Sequence, residues 1–306
     1  MSQNIILDTD PGVDDALAIA FACASNLPVN AMTCSYGNST LENSIKNILT
    51  IRRILNAKYT VYKGYSRPIK GKMCYAKSHG DDGLGGFQDK NIIGYKSIQD
   101  AQKYISKLLS TASEKSISFV CIGPMTDIAG WSVDKNFINK TQKIIMLGGV
   151  FGEKGNISPY AEFNIYNDPY AFQKTLTFAC DKVLIPINVC RKVKLYKNDF
   201  DKIKSRKIRE SFRNIARMYM EYYKNDPNYG TGNGAVMYDL LAIGYLINSK
   251  LFKKRKLRVG VETDPRKNTY GRTYIQKGIS NCFVVTDVKA KELKKLFIST
   301  INSANN

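Results

Sequence analysis

Apolar residues recur along this chain in two alternating rhythms. Short runs rich in Ile, Val, Leu and Cys stand at residues 5–7, 29–35, 59–62, 117–122, 143–147, 182–189 and 282–285, and predict strands. Between them the spacing turns helical. Residues 41–55 bring Leu41, Ile45, Ile48, Leu49, Ile51, Ile54 and Leu55 to one side of a helix, and 16–24 are apolar almost throughout, as in a buried helix. Further helices are expected over 98–112, 170–179, 199–223, 236–247 and 288–301, with a hairpin from 257–262 and 270–276. Strands alternating with helices give a central, mainly parallel sheet flanked by helices, an α/β fold. With no repeat or low-complexity linker, a single domain over 1–306 is the expected organisation.

Two stretches break the rhythm. Residues 64–95 are rich in Gly and Lys with little periodicity, too long for an ordinary connection, and residues 224–234 (KNDPNYGTGNG) form a Gly/Asn/Pro break. Long loops of this kind commonly serve as lids or binding loops. Polar residues also gather just after predicted strands, at Asp8, Asp10, Asn38, Thr126, Gly148-Gly149 and Asn188. Open α/β sheets bind ligands outside the carboxyl ends of their strands, so these residues are expected to line one crevice.

Composition narrows the partners. The apolar fraction of 43% is that of an ordinary globular protein, and no apolar run reaches the length of a membrane span. Seven cysteines, odd in number and without a CxxC pair, read as reduced thiols, and a cytoplasmic protein is expected. The formal charge of +20 comes from lysines spread over many segments, clustered at 253–256 and 202–213. Without a nucleic-acid-binding module beside them they read as a solvated basic face, so neither nucleic acid nor membrane is an expected partner.

The chemistry concentrates in the stretch Asp8-Thr9-Asp10-Pro11-Gly12-Val13-Asp14-Asp15, where a strand passes through a Pro-Gly turn into the buried helix. Four carboxylates this close repel one another unless a cation or protons intervene. Helix capping accounts for Asp14 and Asp15 but not for all four. Hard oxygen ligands of this kind suit calcium or magnesium. Asp239, in an otherwise apolar helical stretch, is a second acid that is costly to bury without a partner.

The stretch DTDPGVDDALAI resembles the N-terminal signature of the inosine–uridine-preferring nucleoside hydrolases. Further segments similar to that family follow in the family's order: Ser35-Tyr36-Gly37-Asn38, His79-Gly80-Asp81-Asp82-Gly83-Leu84-Gly85, Gly123-Pro124-Met125-Thr126-Asp127-Ile128-Ala129, Gly155-Asn156 through Ala161-Glu162-Phe163-Asn164-Ile165, and Val261-Glu262-Thr263. The resemblance implies a calcium-dependent hydrolase that splits a ribonucleoside into base and ribose. It implies Asp10, Asp15, the main-chain carbonyl of Thr126 and Asp239 as Ca2+ ligands, with Asp10 also the base that activates a metal-bound water. Asp14, Asn156, Glu162 and Asn164 match positions that hold the ribose hydroxyls, with Asn38 nearby in a positioning role and Asp8 supporting the acidic turn. A small-molecule ribonucleoside is the implied partner, and homodimers or homotetramers are the implied assemblies.

On the side of the leaving base the chain departs from the family pattern. Tyr238 stands where many relatives have the histidine assigned to protonating the base, and tyrosine is the weaker acid near neutrality. Tyr238 takes over as donor, another group such as His79 does so, or the base leaves with little proton assistance; a merely structural Tyr238 is the plain alternative. His79, the only histidine, sits in the glycine-rich loop and is expected near the site. Tyr222, Tyr223 and Tyr229 flank the flexible break and are placed either to close over a base or to pack a helix end, while Trp131 is expected in the core. Two rival functions stay open at this level: hydrolysis of a different N-riboside, and riboside binding without turnover.

Overall fold

In a computed structural model, which describes residues 4–224, 232 and 234–304, the strands are β1 (Asn4–Thr9), β2 (Val29–Cys34), β3 (Val61–Lys63), β4 (Ile117–Cys121), β5 (Thr141–Leu147), β6 (Asp181–Ile185), β7 (Lys194–Tyr196), β8 (Gly234–Val236), β9 (Phe252–Val261), β10 (Thr273–Gln276) and β11 (Cys282–Val288). All but β7 and β8 form one sheet in the order β10-β9-β11-β6-β5-β4-β1-β2-β3. Within that sheet, among the described residues, only the β10–β9 and β9–β11 pairs are antiparallel. From β3 to β11 the sheet is parallel, as expected for an α/β fold. Helices cover both faces: Val13–Ala24, Leu41–Leu55, Arg206–Lys224, Leu240–Ile247 and Ala290–Ser303 pack into one core, and Ala101–Thr111, Thr126–Trp131 and Pro169–Leu176 into the other. No helix among the described residues is long and apolar enough to cross a membrane.

The connections explain where a site can form. From β1 the chain turns to β2 on one side, and β4 later pairs with the other side of β1. A crevice opens at such a switch point, and the turns after β1 and β4 face it. Those turns are the acidic stretch and Gly123–Thr126. The helix Val13–Ala24 lies under the turn with every residue from Val13 to Ala22 buried, acids included, as an all-round apolar helix requires.

Several boundaries differ from the sequence expectation, each with a local cause. The strand expected over 182–189 stops at Ile185, because Pro186 has no N–H for the ladder; Asn188 then lies in the short helix Ile187–Cys190. The helix expected from 236 begins at Leu240, since Gly234–Val236 pairs with Lys194–Tyr196 as a small ribbon. The helix expected over 199–223 is split into Lys197–Phe200 and Arg206–Lys224. The hairpin's first strand starts at Phe252, five residues early, because the exposed run Lys253–Lys256 hides its alternation.

Candidate active site

Asp10 leaves β1 directly into the turn and is buried. Asn38, just after β2, fastens it: its main-chain N–H donates to Asp10 Oδ2 at 2.8 Å and its amide to the Asp10 carbonyl at 3.0 Å. The same amide donates to Asp15 Oδ2 at 3.1 Å. Gly37, at φ +157°, passes so close that a Cβ there would meet Asp10 Oδ2 at 2.0 Å, and one on Gly123 would meet Asp10 Oδ1 at 2.9 Å. Only glycine admits a carboxylate at this depth. Asp10 Oδ1 itself is buried and has no hydrogen-bond partner among the described residues.

Asp15 is held by Thr9 Oγ1 and by the Gly12 N–H at 2.9 Å. Asp239, just before the helix Leu240–Ile247, arrives from the far end of the chain. Oxygens of Asp14, Asp15 and Asp239 lie within 4.8 Å of one another, all three residues buried. The electrostatic consequence is mutual. Burial, then the charge of Asp15, pushes Asp10 well above the usual carboxylate range and Asp14 up to about 8. Burial raises Asp15, and burial with Asp14, Asp15 and Asp10 raises Asp239. Acids from both ends of the chain therefore form one group that cannot be fully ionised without a cation. The hard oxygen donors of Asp14, Asp15 and Asp239 fit a divalent ion of the calcium or magnesium kind, and Asp10, an expected ligand that lies outside this group of three, adds a buried Oδ1 with no partner among the described residues.

Above this floor opens a cavity of about 410 Å³, large enough for a small organic ligand. Asp14, Asn38, His79, Asn156, Glu162, Asn164, Tyr222, Tyr238 and Asp239 all line it. Thr126 lies at the start of the short helix after β4, buried, its hydroxyl between Tyr36 Oη at 3.0 Å and Asp168 Oδ2 at 2.9 Å. Tyr229 lies outside the described residues. Trp131 is fully buried among core residues.

The wall residues carry structural work as well. Glu162 caps the helix Phe163–Asn167, accepting from the N–H groups of Asn164 at 2.9 Å and Ile165 at 3.1 Å, and it also accepts from Gly149 at 3.0 Å. Burial raises it to about 7 in spite of these bonds. Asn156 Oδ1 accepts from Phe163 N–H at 2.9 Å. Asn164 spends its amide N–H groups on the carbonyls of Ile122 (2.8 Å) and Leu147 (3.4 Å), so its side-chain oxygen is what it offers a hydroxyl.

His79 is pinned in one tautomer. Nδ1 accepts from Val13 N–H at 3.0 Å, so the proton sits on Nε2, 4.0 Å from Asp14 Oδ1. Burial lowers its pKa to about 3, and Tyr219 packs against the ring at 4.9 Å. Neutral His79 carries its one proton on Nε2 and is a far weaker acid than an imidazolium. Tyr238 is buried, its hydroxyl has no partner among the described residues, and burial raises its pKa well above the usual value for tyrosine. Tyr222, half exposed, packs edge-on against Tyr223 at 5.1 Å.

Three groups escaped the sequence reading. Tyr219 contributes to the cavity wall, its signal hidden in helical core spacing. Asp127, buried beside Asp8, is raised by burial and then by Asp8; the test that singled out Asp239, an acid in an apolar helix, applies to it equally. Asp168 ties Thr126 to the loop after β3 by accepting from Ile69 N–H at 2.7 Å, but in sequence Asp-Pro reads only as a helix start.

Comparison with known proteins bears on this arrangement. The family model described as inosine-uridine preferring nucleoside hydrolase matches residues 5–295. A pyrimidine-specific ribonucleoside hydrolase, RihA, of Photobacterium profundum is 31% identical over 284 residues, covering 90% of each chain. Uridine nucleosidase 1 of Arabidopsis thaliana is 29% identical over 269 residues, covering 85% of this chain and 79% of its own. Among solved structures, the plant nucleoside hydrolase PpNRh1 superposes with a TM-score of 0.86 at 26% identity, covering 99% of this chain and all of that one.

Proposed function

The chain belongs to the inosine-uridine preferring nucleoside hydrolase family, and we propose that it is a calcium-dependent enzyme that cleaves the N-glycosidic bond of pyrimidine ribonucleosides, releasing base and ribose. One observation carries this reading: Asp14, Asp15 and Asp239 meet at the floor of a cavity whose wall holds Asn156, Glu162 and Asn164. The pyrimidine preference draws on the two sequence relatives, which act on pyrimidine nucleosides by name.

Asp10, Asp15, Asp239 and the Thr126 main-chain carbonyl would hold the calcium ion. Bound there, it supplies positive charge that keeps the carboxylates ionised and makes water more acidic. Asp10 is the base: Oδ2 is fixed by Asn38, which leaves Oδ1 to accept a proton from the attacking water. Charge developing on the sugar as its bond to the base breaks is stabilised by the carboxylates around it, Asp14 foremost. Asn164 accepts from a ribose hydroxyl through its side-chain oxygen; Asn156 and Glu162 complete the sugar's wall. The departing base meets Tyr238, whose unpartnered hydroxyl donates a hydrogen bond without giving up its proton, and the tyrosines 222 and 223 flank it. His79 stands beside Asp14, with Nε2 4.0 Å from Oδ1, and as a neutral imidazole is not the acid.

The reducing cytoplasm suits seven free thiols, and assembly as a homodimer or homotetramer follows the family; light scattering on the purified protein measures it. Function is tested by ribose release from uridine, cytidine, inosine and guanosine, with and without a chelator. Uridine and cytidine should be split faster than the purine nucleosides, and activity should vanish with chelator and return with calcium. Full activity in protein stripped of metal would sink the calcium assignment, and a purine preference would sink the substrate class.

A further inference from the structure

We propose that a second cleft, at the end of the sheet opposite the riboside cavity, is a binding site for a phosphate group, carried by the free ion or by a small phosphomonoester. The cleft occupies about 730 Å³. It is built where β4, β5, β6 and β11 begin, whereas the riboside cavity lies where strands end. Lys115, Lys182 and Lys256 face it, and Asp181 is the only acid among its lining residues. Three ammonium groups against one carboxylate leave a charge that matches a phosphate dianion.

Lys182 is the centre of the argument. Only 4% of it is exposed, and its Nζ donates to main-chain carbonyls, those of Phe178 and of Cys180, the latter at 3.0 Å. An ammonium has three N–H donors, so one is left for the cleft. Its neighbours do not neutralise it: burial raises the thiols of Cys180 and Cys282, the latter to about 12, which keeps both uncharged. Lys115 donates to the Ile138 carbonyl at 3.1 Å, and Lys256 sits over the Phe283 ring at 5.1 Å from its centre. Apart from Asp181, whose charge acts on Lys182, the three lysines have carbonyls and a ring for company. Burial still outweighs Asp181 and lowers the pKa of Lys182; a buried ammonium with so little counter-charge is costly, and a multiply charged oxyanion supplies both the charge and the acceptor oxygens. A neutral riboside supplies neither, so this site is independent of the catalytic reading.

The test is calorimetric titration of the whole protein with inorganic phosphate, at ionic strength held constant with chloride. Ribose 5-phosphate serves as a parallel titrant. One saturable site is expected, weakened at least about tenfold in the double variant Lys115→Ala, Lys256→Ala, as the loss of charged hydrogen bonds implies. The control is Lys291→Ala, Lys295→Ala, which removes the same charge from exposed positions on the C-terminal helix and should bind like the parent. Lys182→Met should abolish binding; because that variant removes a buried group, a melting curve accompanies it, and the surface pair decides the matter if it fails to fold. Tighter binding of ribose 5-phosphate assigns the phosphomonoester, and equal binding the free ion. Equal losses in the cleft and control variants, or no saturable heat with either titrant, would overturn the proposal.

Discussion

At the scale of single residues, Asp10 and Tyr238 make opposite use of an unpartnered oxygen. Asp10 Oδ1 is a lone acceptor held deep by two glycines. Asp10→Ala should abolish ribose release, a loss of at least about 10²–10⁴-fold as for removal of a general base. Near-parental rates in that variant would remove Asp10 from the chemistry. Tyr238 Oη is a lone donor whose burial costs stability unless something binds it, because an unsatisfied buried hydroxyl is unfavourable by about 1–3 kcal/mol. Tyr238→Phe should therefore melt no lower than the parent while kcat on uridine falls about 10–100-fold, the worth of one hydrogen bond to a group gaining charge. A packing tyrosine would show the reverse, with lower melting and intact kcat. Both positions could be picked out in the sequence, Asp10 because four acids in one turn have no structural excuse and Tyr238 because it breaks a family pattern. The neutrality and tautomer of His79 could not be, since the first follows from burial and the second from the Val13 N–H reaching Nδ1 from another element.

At the scale of elements, the site depends on connections that no periodicity reveals. The helix Pro169–Leu176 is capped by Asp168, whose Oδ1 accepts from Ala171 N–H at 3.0 Å. Its Oδ2 serves Thr126 Oγ1 and Ile69 N–H instead. Asn167 next to it accepts from Cys74 N–H at 2.9 Å. Two adjacent residues thus strap the loop after β3, which carries Tyr75 to His79 to the cavity, against the turn that presents Thr126. Sequence marks the loop as long and functional, and Asp168 as a cap, but pairing residues 69 and 168 requires the sheet order. Asp168→Ala should cost roughly 1 kcal/mol of stability for the lost cap. It should also weaken calcium binding, which the sole tryptophan, Trp131, can report because it ends the helix that Thr126 begins. Unchanged calcium affinity in a variant of lowered melting temperature would confine Asp168 to capping. The same limit hid β9: Lys253–Lys256 look like a solvated loop until the pairing with β11 shows them to be the exposed part of a strand.

At the scale of the whole molecule, the buried acids make stability depend jointly on pH and metal. In the metal-free protein Asp14 titrates at about 8, Glu162 at about 7 and Asp8 at about 6, each raised chiefly by burial from the ordinary carboxylate range. The folded state thus binds protons that the unfolded chain has already released. Stability from these groups is complete below about pH 4 and is lost as pH rises through their folded values. His79 acts in the other sense, since its pKa is lowered to about 3, but it does so only below the ordinary histidine value of about 6.5. Between about pH 6.5 and 8 the carboxylates act alone, and the melting temperature of chelated protein should fall across that window. On the proposed reading calcium should reverse the balance, because it would bind the ionised acids and displace their protons. The increase in melting temperature on adding calcium should therefore grow as pH rises across that window. A calcium increment that shrinks as pH rises would mean that the acids are already ionised without metal, and the electrostatic reason for placing a cation among Asp10, Asp15 and Asp239 would fall with it.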